Sequence, residues 1–352
     1  MVYLFNVFLK GHLTFKLLTK MSSEQRMIKT LIVGLGWWGK VLVNSVQNKS
    51  EKIRMVYGLT GTSSDDAKRY AKEKGFELLE CSYKEAVARK DIDAVILATP
   101  HSLHCEQIKT AAAYGKHVAC EKPLALNKQE ALTSVKSAQE NRVTLSVLYN
   151  RRFNPVIQEI HRLILTNALG TICHVESNFS GDSGLRGNQS EGSWRLDPVE
   201  CPLGSMTSRG LHTLDAIVSF CGEIDTVFTH SVTRALKNRE DTTSCLLGFK
   251  SGVTGYMATM NATTPFWWLK VFGTEATVEM RDYNKLVFWN RGENPEERLF
   301  DEVDLERAVL EAFCDGINGI KSYPVTTEEM INVSAFLEAA VKSKETGNVV
   351  KL

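Results

Sequence analysis

The hydrophobic pattern of the chain changes in style near residue 150. Before this point, short runs rich in β-branched residues alternate with longer amphipathic segments. The short runs predict buried strands at residues 29–33, 53–59, 93–99, 117–120 and 143–149. The amphipathic segments predict helices at about residues 39–47, 64–74, 105–114 and 128–139. Strands that alternate with helices of this length indicate βαβ units and a parallel sheet with crossovers of one hand.

After residue 151 most of the apolar runs follow one another without intervening helices. Partly alternating runs predict strands at residues 172–179, 226–235, 243–249, 253–260, 268–272, 276–280 and 285–289. Helices are predicted at residues 155–165, 205–221, 305–317 and 327–344. Runs of strands indicate a large, mainly antiparallel open sheet. We therefore predict an α/β protein with two domains, at residues 27–150 and 151–352.

Composition and charge exclude several classes of protein. At about 150 residues per domain, 352 residues correspond to about two domains. Lys and Arg number 42 against 41 Asp and Glu, so the net charge of +1 lacks the basic excess of a nucleic-acid-binding protein. No apolar run approaches the ~20 residues of a membrane-spanning helix. We therefore expect no nucleic-acid partner and no membrane partner.

The eight cysteines are scattered along the chain and form no C-x-x-C pair. This spacing is typical of reduced thiols, disfavours a zinc ribbon, and predicts a reducing, cytoplasmic location. The sequence shows no tight cluster of His, Asp or Glu residues, so we expect no metal site.

The first 26 residues do not fit the pattern of the remaining chain. The apolar residues 2–9 have no basic segment before them and no small-residue cleavage site after them, which disfavours a signal peptide. Met21 and the three residues after it resemble a more natural beginning. We predict that residues 1–26 form a disordered arm or an extension from an upstream start site.

A G-x-G-x-x-G motif, with Gly34, Gly36 and Gly39, follows the first predicted strand and opens the first predicted helix. The first glycine permits a tight turn, the second lets the backbone approach a pyrophosphate, and the third allows the helix to pack close to the sheet. In this position the motif predicts a dinucleotide-binding Rossmann domain, and a plain glycine turn is the alternative. Trp37 and Trp38, at the helix start, are expected to border the cofactor as packing residues.

The end of the second strand bears on the choice between NAD(H) and NADP(H). An acidic residue there would bind the ribose 2′-hydroxyl and repel a 2′-phosphate. The sequence has no carboxylate at this point and offers hydroxyls and backbone amides at Thr60, Gly61 and Thr62, with Lys68 and Arg69 one helical turn away. We favour NADP(H), with NAD(H) as second choice. The alternative is a hydroxyl-rich helix cap that has no role in cofactor choice.

Four short motifs make the hypothesis more specific. Two lie at predicted C-terminal strand ends, where open α/β sheets bind ligands: Thr99-Pro100-x-x-x-His104 and Glu121-Lys122-Pro123. The others are Asn150-Arg151-Arg152-Phe153-x-Pro155, at the change of pattern, and Gly210-x-His212-x-x-Asp215. In this combination the chain, from about Ile28 to its end, resembles the glucose–fructose oxidoreductase and inositol dehydrogenase (Gfo/Idh/MocA) family.

The resemblance implies a fold and a division of labour. Members of the family pair an N-terminal Rossmann domain with a C-terminal α/β domain that binds substrate and forms homodimers or homotetramers through its open sheet. The C-terminal helices are expected to pack back on the first domain. The resemblance implies catalytic roles for Lys122 and His212, and cofactor contacts from Thr99, Pro100, His101, His104, Glu121 and Lys122. Substrate contacts are expected from Tyr149, Arg152, Trp194, Arg195 and His212.

Several of these assignments leave alternatives open. His101 stands where many relatives have Asn, and His104 suits a ribose contact or a hydrogen bond at a helix start equally well. Trp194 could stack on a sugar or an aromatic ring, or it could be a loop residue packed against the domain. Ser208 stands where sugar dehydrogenases of the family often carry an Asp, four residues before His212. A substrate different from a simple inositol is therefore one alternative.

The chemistry of Lys122 and His212 also follows from the residue types. Oxidation of an alcohol expels a hydride, which the nicotinamide takes, and a proton, which a side chain must take. A lysine whose pKa is lowered in a dry pocket suits this role, and a histidine titrates near neutrality. We predict an NAD(P)-dependent oxidoreductase that acts on a secondary alcohol or ketone of a sugar, polyol or related small molecule. The alternatives are a dihydrodiol dehydrogenase and a non-catalytic, dinucleotide-sensing regulator.

Overall fold

The computed structural model describes residues 26–61, 65–186, 193–237 and 239–352. The predicted N-terminal extension lies outside the described residues except for Arg26, and Thr62 of the predicted cofactor site also lies outside them. Arg26 donates a hydrogen bond to Asp93 (2.9 Å), and its carbonyl oxygen accepts one from Asn318 (2.9 Å).

The first sheet contains six parallel strands, which confirms the predicted Rossmann sheet. The strands are β1 (Ile28–Val33), β2 (Ile53–Leu59), β3 (Glu77–Leu78), β4 (Ala94–Leu97), β5 (His117–Cys120) and β6 (Leu145–Val147). Their order is β3-β2-β1-β4-β5-β6. The helices among them are α1 (Trp37–Val46), α2 (Asp65–Lys74), α3 (Tyr83–Val87), α4 (His104–Ala113) and α5 (Lys128–Glu140).

Helices cover both faces of the first sheet, so its strands are apolar on both sides. In β1, Leu31 packs into a cluster with apolar side chains of α4 and α5, and it has no exposed surface. Its neighbour Ile32 points the other way, into a second cluster with Leu42 of α1 and Phe313. Phe313 belongs to α8 (Leu305–Ile317), so a helix from the end of the chain packs back on the first sheet.

The second sheet contains nine strands and is mainly antiparallel, as predicted. The strands are β7 (Ile172–Ser180), β8 (Ile224–Val232), β9 (Thr242–Phe249), β10 (Thr254–Met260), β11 (Phe266–Gly273), β12 (Ala276–Arg281), β13 (Lys285–Asn290), β14 (Glu296–Leu299) and β15 (Val350–Lys351). Their order is β14-β13-β12-β11-β7-β10-β9-β8-β15, and β7 and β10 pair in parallel. Helices α6 (Pro155–Leu165), α7 (Leu211–Cys221) and α9 (Thr327–Thr346) pack against its strands.

The structure departs from the predicted elements at several points. The helix predicted at residues 205–221 consists of a π-helical segment (Met206–Gly210) followed by α7. The strands predicted at residues 93–99 and 143–149 are shorter, because the chain leaves the sheet after Leu97 and Val147. The short elements β3, β14, β15 and α3 were not predicted, because segments of two to five residues show little hydrophobic periodicity.

The strand register brings the loops of the first sheet to one edge. Leu97 of β4 pairs with Val33 of β1 and with Cys120 of β5, which in turn pairs with Val147 of β6. The segments that follow these four strands therefore begin at the same level, at the edge where open parallel sheets bind ligands. None of the described helices is both long and apolar enough to cross a membrane.

Candidate active site

The loop after β1 leaves space above its second glycine. Gly34 has a φ of +95°, and a Cβ on it would lie 2.4 Å from the carbonyl oxygen of Ala98, so the fold itself requires glycine there. A Cβ on Gly39 would lie 1.9 Å from the carbonyl oxygen of Gly34. A Cβ on Gly36, by contrast, would meet no described atom within 4 Å. This space adjoins the first turn of α1, which has no side-chain cap and no carboxylate, and it fits a pyrophosphate.

The residues after β2 would face the ribose end of a dinucleotide. Thr60 is partly exposed and follows the strand directly, without a carboxylate at the strand tip. Lys68 forms an ion pair with Glu80 (2.6 Å), and Arg69 forms one with Asp66. Both cations predicted near a 2′-phosphate therefore already have carboxylate partners.

Lys122 lies where the loop after β5 meets the π-helical segment. Its ammonium group donates hydrogen bonds to the carbonyl oxygens of Ser208 (2.6 Å) and Thr207 (3.2 Å). Burial lowers the pKa of Lys122 to about 8, although the neighbouring Glu121 opposes this shift. A lysine with this pKa is present in both protonation states near neutral pH, so it can accept or donate a proton.

Glu121 connects Lys122 to the glycine loop. One carboxylate oxygen accepts a hydrogen bond from the indole N–H of Trp38, and the other accepts one from the backbone N–H of Lys122 (3.2 Å). Burial raises the pKa of Glu121 to about 7, although the Trp38 hydrogen bond and the Lys122 charge lower it. Trp38 is thus fixed by its polar edge, while its neighbour Trp37 is 73% exposed.

His212 is the second residue of α7, the helix that follows the π-helical segment directly. Its side chain is buried, and Nδ1 has no hydrogen-bond partner among the described residues. Burial lowers the pKa of His212 well below its usual value, and the charges of Lys122, Arg151 and Arg209 add to this effect. The imidazole is therefore neutral near pH 7. π-Helical turns are frequent at functional sites, and here the turn supplies the two carbonyl oxygens that hold Lys122.

The loop after β4 has one part on a cavity wall and one part in the core. Thr99 and His101 line the cavity, whereas Pro100 does not and His104 has no exposed surface. His104 Nδ1 lies 2.9 Å from the carbonyl oxygen of Pro123, and Nε2 lies 3.2 Å from that of Thr99. These contacts correct the predicted ribose contact, because both ring nitrogens face the backbone. His104 joins the loops after β4 and β5.

The segment around Trp194 borders the cavity from the other side. Trp194 packs edge-on against His101, with ring centroids 4.8 Å apart, and the Arg195 guanidinium lies 4.1 Å from the centre of the Trp194 ring. Glu200 attaches this segment to the loop after β4. Its carbonyl oxygen lies 2.6 Å from His101 Nδ1, and its carboxylate accepts a hydrogen bond from the backbone N–H of Ser102 (3.0 Å).

These groups surround a cavity of about 280 Å³. It brings together nine of the predicted site residues, which are Trp37, Trp38, Thr99, His101, Glu121, Lys122, Trp194, Arg195 and His212. Lys122 comes from the first sheet and His212 from the helix that covers the second. The cavity therefore combines the predicted nucleotide edge with a wall built from the second half of the chain.

Two predicted substrate contacts lie behind the cavity wall. Tyr149 has no exposed surface, and its hydroxyl is buried without a hydrogen-bond partner among the described residues. Arg152 forms ion pairs with Asp215 (2.7 Å) and Glu329 (3.1 Å), and only 8% of its side chain is exposed. The structure therefore brings neither residue to the cavity, because Tyr149 belongs to the core and Arg152 is paired with the buried Asp215 and the partly exposed Glu329.

The cavity residues that the sequence analysis did not assign to the site include Arg151, Phe179 and Arg209. Arg151, the neighbour of Arg152, lines the cavity, with its guanidinium 5.5 Å from the centre of the Trp267 ring. Phe179 at the end of β7 and Arg209 in the π-helical segment line it too, and the Arg209 guanidinium lies 5.5 Å from the Phe179 ring. Arg151 belongs to the motif at residues 150–155 and Arg209 precedes the motif at residues 210–215, but Phe179 carried no signal.

Comparison with known proteins identifies the family. The model of the oxidoreductase family with an NAD-binding Rossmann fold (Gfo/Idh/MocA) matches residues 28–149, and the model of the Gfo/Idh/MocA C-terminal domain matches residues 157–279. The chain belongs to the Gfo/Idh/MocA oxidoreductase family. The resemblance carried by the four sequence motifs is thereby confirmed.

Relatives extend over most of the chain. A D-xylose 1-dehydrogenase (NADP(+)) of Haloferax volcanii is 28% identical over 300 residues, covering 82% of this chain and 90% of that protein. A 1,5-anhydro-D-fructose reductase of Ensifer adhaerens is 27% identical over 311 residues, covering 84% and 91%. The structure of a levoglucosan dehydrogenase with NADH and levoglucosan has the same fold, with a TM-score of 0.83, 19% identity, and coverage of 93% of this chain and 99% of that one. This chain is an NAD(P)-dependent dehydrogenase or reductase, which confirms that prediction and disfavours the non-catalytic regulator.

Proposed function

We propose that this enzyme transfers a hydride between a nicotinamide cofactor and a secondary alcohol or ketone of a sugar, polyol or related small molecule. The observation that carries the proposal is the position of Lys122, which shares one cavity with Trp38 of the glycine loop and with His212. The names of two relatives, a xylose dehydrogenase and an anhydrofructose reductase, support a sugar-like substrate.

Lys122 handles the proton of the alcohol in this proposal. A bound nicotinamide supplies the hydride chemistry. The neutral amine of Lys122 takes the hydroxyl proton during oxidation, and its ammonium form returns the proton during reduction. The carbonyl oxygens of Thr207 and Ser208 hold the ammonium by hydrogen bonds of 3.2 and 2.6 Å, so the nitrogen keeps its position while it carries charge.

His212 assists at the same substrate oxygen. Because its lowered pKa keeps the imidazole neutral, the ring can donate one hydrogen bond and accept another. A neutral donor stabilises the oxygen as negative charge develops there, and it does not compete with Lys122 for the proton.

A panel of sugars, polyols and cyclic dihydrodiols, followed at the nicotinamide absorbance, tests the proposal. We expect turnover of at least one sugar or polyol. Turnover of a cyclic dihydrodiol alone would favour that alternative, and no turnover of any alcohol or ketone would contradict hydride transfer. We place the sugar first because guanidinium groups lie over the rings of Trp194 and Phe179, which leaves less aromatic surface for a cyclic diol.

For the cofactor we propose a preference for NADP(H), with NAD(H) as second choice. The absence of a carboxylate directly after β2 and the NADP-dependent xylose dehydrogenase support it. The ion pairs of Lys68 with Glu80 and of Arg69 with Asp66 weaken the support from those two cations. Measured dissociation constants for NADPH and NADH decide the question, and tighter binding of NADH would contradict the preference.

We also propose that copies of the chain associate through the open face of the second sheet. Phe228, Leu246 and Tyr256 lie directly opposite one another in β8, β9 and β10. Leu246 is 56% exposed and Tyr256 is 36% exposed, and such an apolar row favours an interface. Light scattering should give a dimer or tetramer that Leu246→Lys shifts toward the monomer. A monomer of 39.3 kDa in the wild type would contradict the proposal.

The thiols support a reducing, cytoplasmic location, which we propose for this enzyme. All eight cysteines are free and none forms a disulfide. Free thiols are typical of reducing compartments. Cell fractionation tests the location, and a secreted, disulfide-bonded form would contradict it.

A further inference from the structure

Three arginines border the cavity without a carboxylate partner. Arg151, Arg195 and Arg209 line the wall, and no carboxylate in the described part of the chain lies within 4 Å of their guanidinium groups. Most other arginines in this part of the chain do form such pairs, as Arg152 does with Asp215. Charged groups that face a cavity without a counter-ion are characteristic of sites that bind the opposite charge.

Arg151 is held in place by aromatic rings. Its guanidinium lies 5.3 Å from the centre of the Tyr283 ring, 5.5 Å from that of Trp267 and 5.9 Å from that of Phe179. Its Nε is buried and donates to no described acceptor. The charge of Glu306 acts on the pKa of Arg151, but its carboxylate lies beyond ion-pair distance. The rings fix the guanidinium by cation–π contacts but leave its hydrogen-bond donors unused.

Arg209 approaches the same place from the π-helical segment. Its guanidinium lies 5.5 Å from the Phe179 ring and packs against Gly181, where a Cβ would come within 2.8 Å of Nη2. The Phe179 ring lies 6.5 Å from the His212 ring. The guanidinium groups of Arg151 and Arg209 therefore lie 5.9 and 5.5 Å from the centre of the same aromatic ring, which neighbours the histidine proposed to bind the reacting oxygen.

The acidic residues of the cavity do not balance these charges. The carboxylates that line the described wall are Glu121 and Glu240. Glu240 forms an ion pair with Lys344 (2.9 Å), and Glu121 accepts hydrogen bonds from Trp38 and Lys122. The pKa of Glu121 is also raised to about 7 by burial, so it is only partly ionised near neutral pH. The described wall around His212 is consequently positive.

We propose that the substrate is a sugar acid whose carboxylate binds Arg151 and Arg209 while its carbinol carbon lies at Lys122 and His212. This inference rests on the proposed hydride transfer and narrows its substrate class. A guanidinium matches a carboxylate with two parallel hydrogen bonds. A neutral sugar of the same size would leave both guanidinium groups in the cavity wall without a counter-ion, which disfavours its binding.

Matched pairs of acidic and neutral substrates test this. With NADP⁺ and, separately, with NAD⁺, kcat/KM is compared for D-glucuronate and D-glucose, D-galacturonate and D-galactose, and D-gluconate and D-glucitol. We expect at least one acid to exceed its neutral partner by about tenfold or more, the size of one charged hydrogen bond. Arg209→Gln should remove most of this preference, mainly through KM, and Arg209→Lys should keep part of it. The control is Arg162→Gln, since Arg162 is exposed and pairs with Glu159 on α6.

The outcomes separate this inference from the proposed function. Neutral sugars that turn over as well as the acids, with a ratio unchanged in Arg209→Gln, would overturn the sugar acid but leave hydride transfer standing. If nothing turns over, hydride transfer fails. Titration calorimetry with the NADPH-loaded protein then tests, without turnover, whether the cavity binds the acid more tightly than the neutral sugar. Tighter binding of D-glucuronate than of D-glucose, lost in Arg209→Gln but kept in Arg162→Gln, supports the site. Equal or absent binding overturns it.

Discussion

The edge of the first sheet forms the proposed pyrophosphate space mainly with backbone, whereas the second half of the chain shapes its wall of the cavity with side chains. On the first side, a Cβ on Gly36 would meet no described atom within 4 Å, and the first turn of α1 adjoins this space. On the other side, Arg151, Arg209 and His212 come from three different segments and meet around the ring of Phe179.

Because of this difference, the two surfaces suit different kinds of ligand. A surface made of backbone amides recognises a pyrophosphate whatever the neighbouring side chains are, so it suits a cofactor common to many enzymes. A wall made of side chains can change its charge by single substitutions, so it suits the recognition of one substrate class. Lys122 lies where the two walls meet, since it follows β5 and donates to Thr207 and Ser208.

The largest effect is expected at this junction. Lys122→Met should lower kcat by about a thousandfold or more, because proton transfer loses its acceptor. The dissociation constant of NADPH should change by less than about threefold, because the glycine loop is untouched. Stopped-flow kinetics and fluorescence titration measure the two quantities. Lys136→Met, an exposed lysine on α5, serves as the control. Retained turnover in Lys122→Met would remove Lys122 from the chemistry.

Behind the substrate wall we expect a loss of stability. Arg152→Met leaves Asp215, which has no exposed surface, without its ion-pair partner. The free energy of unfolding should fall by about 3–5 kcal/mol, as for other broken buried pairs. The exposed Arg162→Met should change it by less than about 1 kcal/mol. Urea denaturation measures the free energy of unfolding of both variants. Equal losses of stability would show that the buried ion pair contributes no more than the exposed one.

Within the glycine loop, one substitution should lower stability and another should weaken cofactor binding. Gly34→Ala forces a Cβ against Ala98 at a φ of +95°, which should cost about 1–3 kcal/mol and lower Tm by several degrees. Gly36→Ala should leave Tm within about 2 °C, because its Cβ meets no described atom, yet weaken NADPH binding by about tenfold. Calorimetry gives both values. A Gly36→Ala variant that binds NADPH normally would place the pyrophosphate elsewhere.

The smallest effect is expected at Tyr149. Its hydroxyl is buried without a described partner, so Tyr149→Phe removes an uncompensated polar group. We expect the free energy of unfolding to change by less than about 1 kcal/mol, or to increase, with KM unchanged. A marked rise in KM would show that the Tyr149 hydroxyl contributes to substrate binding.

The sequence predicted the nucleotide side better than the substrate side, for physical reasons. In the first sheet, residues 53–59 and 117–120 were predicted with the bounds that the structure shows, because strongly apolar segments fix their own secondary structure. The glycine motif is local, so it can be found in a single segment.

The residues of the substrate wall are far apart in the sequence, and the directions of their side chains depend on short turns. Arg151 and Arg152 are adjacent within one 3₁₀ turn, in which successive side chains point about 120° apart. One faces the cavity and the other faces Asp215, a choice that the motif itself does not contain. The role of the His104 side chain could not be predicted either, because the two carbonyl oxygens that it faces lie on loops brought together by the sheet register.

The pH dependence of alcohol oxidation tests the role of Lys122 most directly. At saturating cofactor, kcat/KM should rise about tenfold per pH unit below pH about 8 and then level off, because only the neutral amine accepts the proton and burial lowers the pKa of Lys122 to about 8. In Lys122→Arg, whose guanidinium does not titrate in this range, the inflection should disappear together with most of the activity. A flat wild-type profile, or the same inflection in Lys122→Arg, would contradict the assignment of the proton to Lys122.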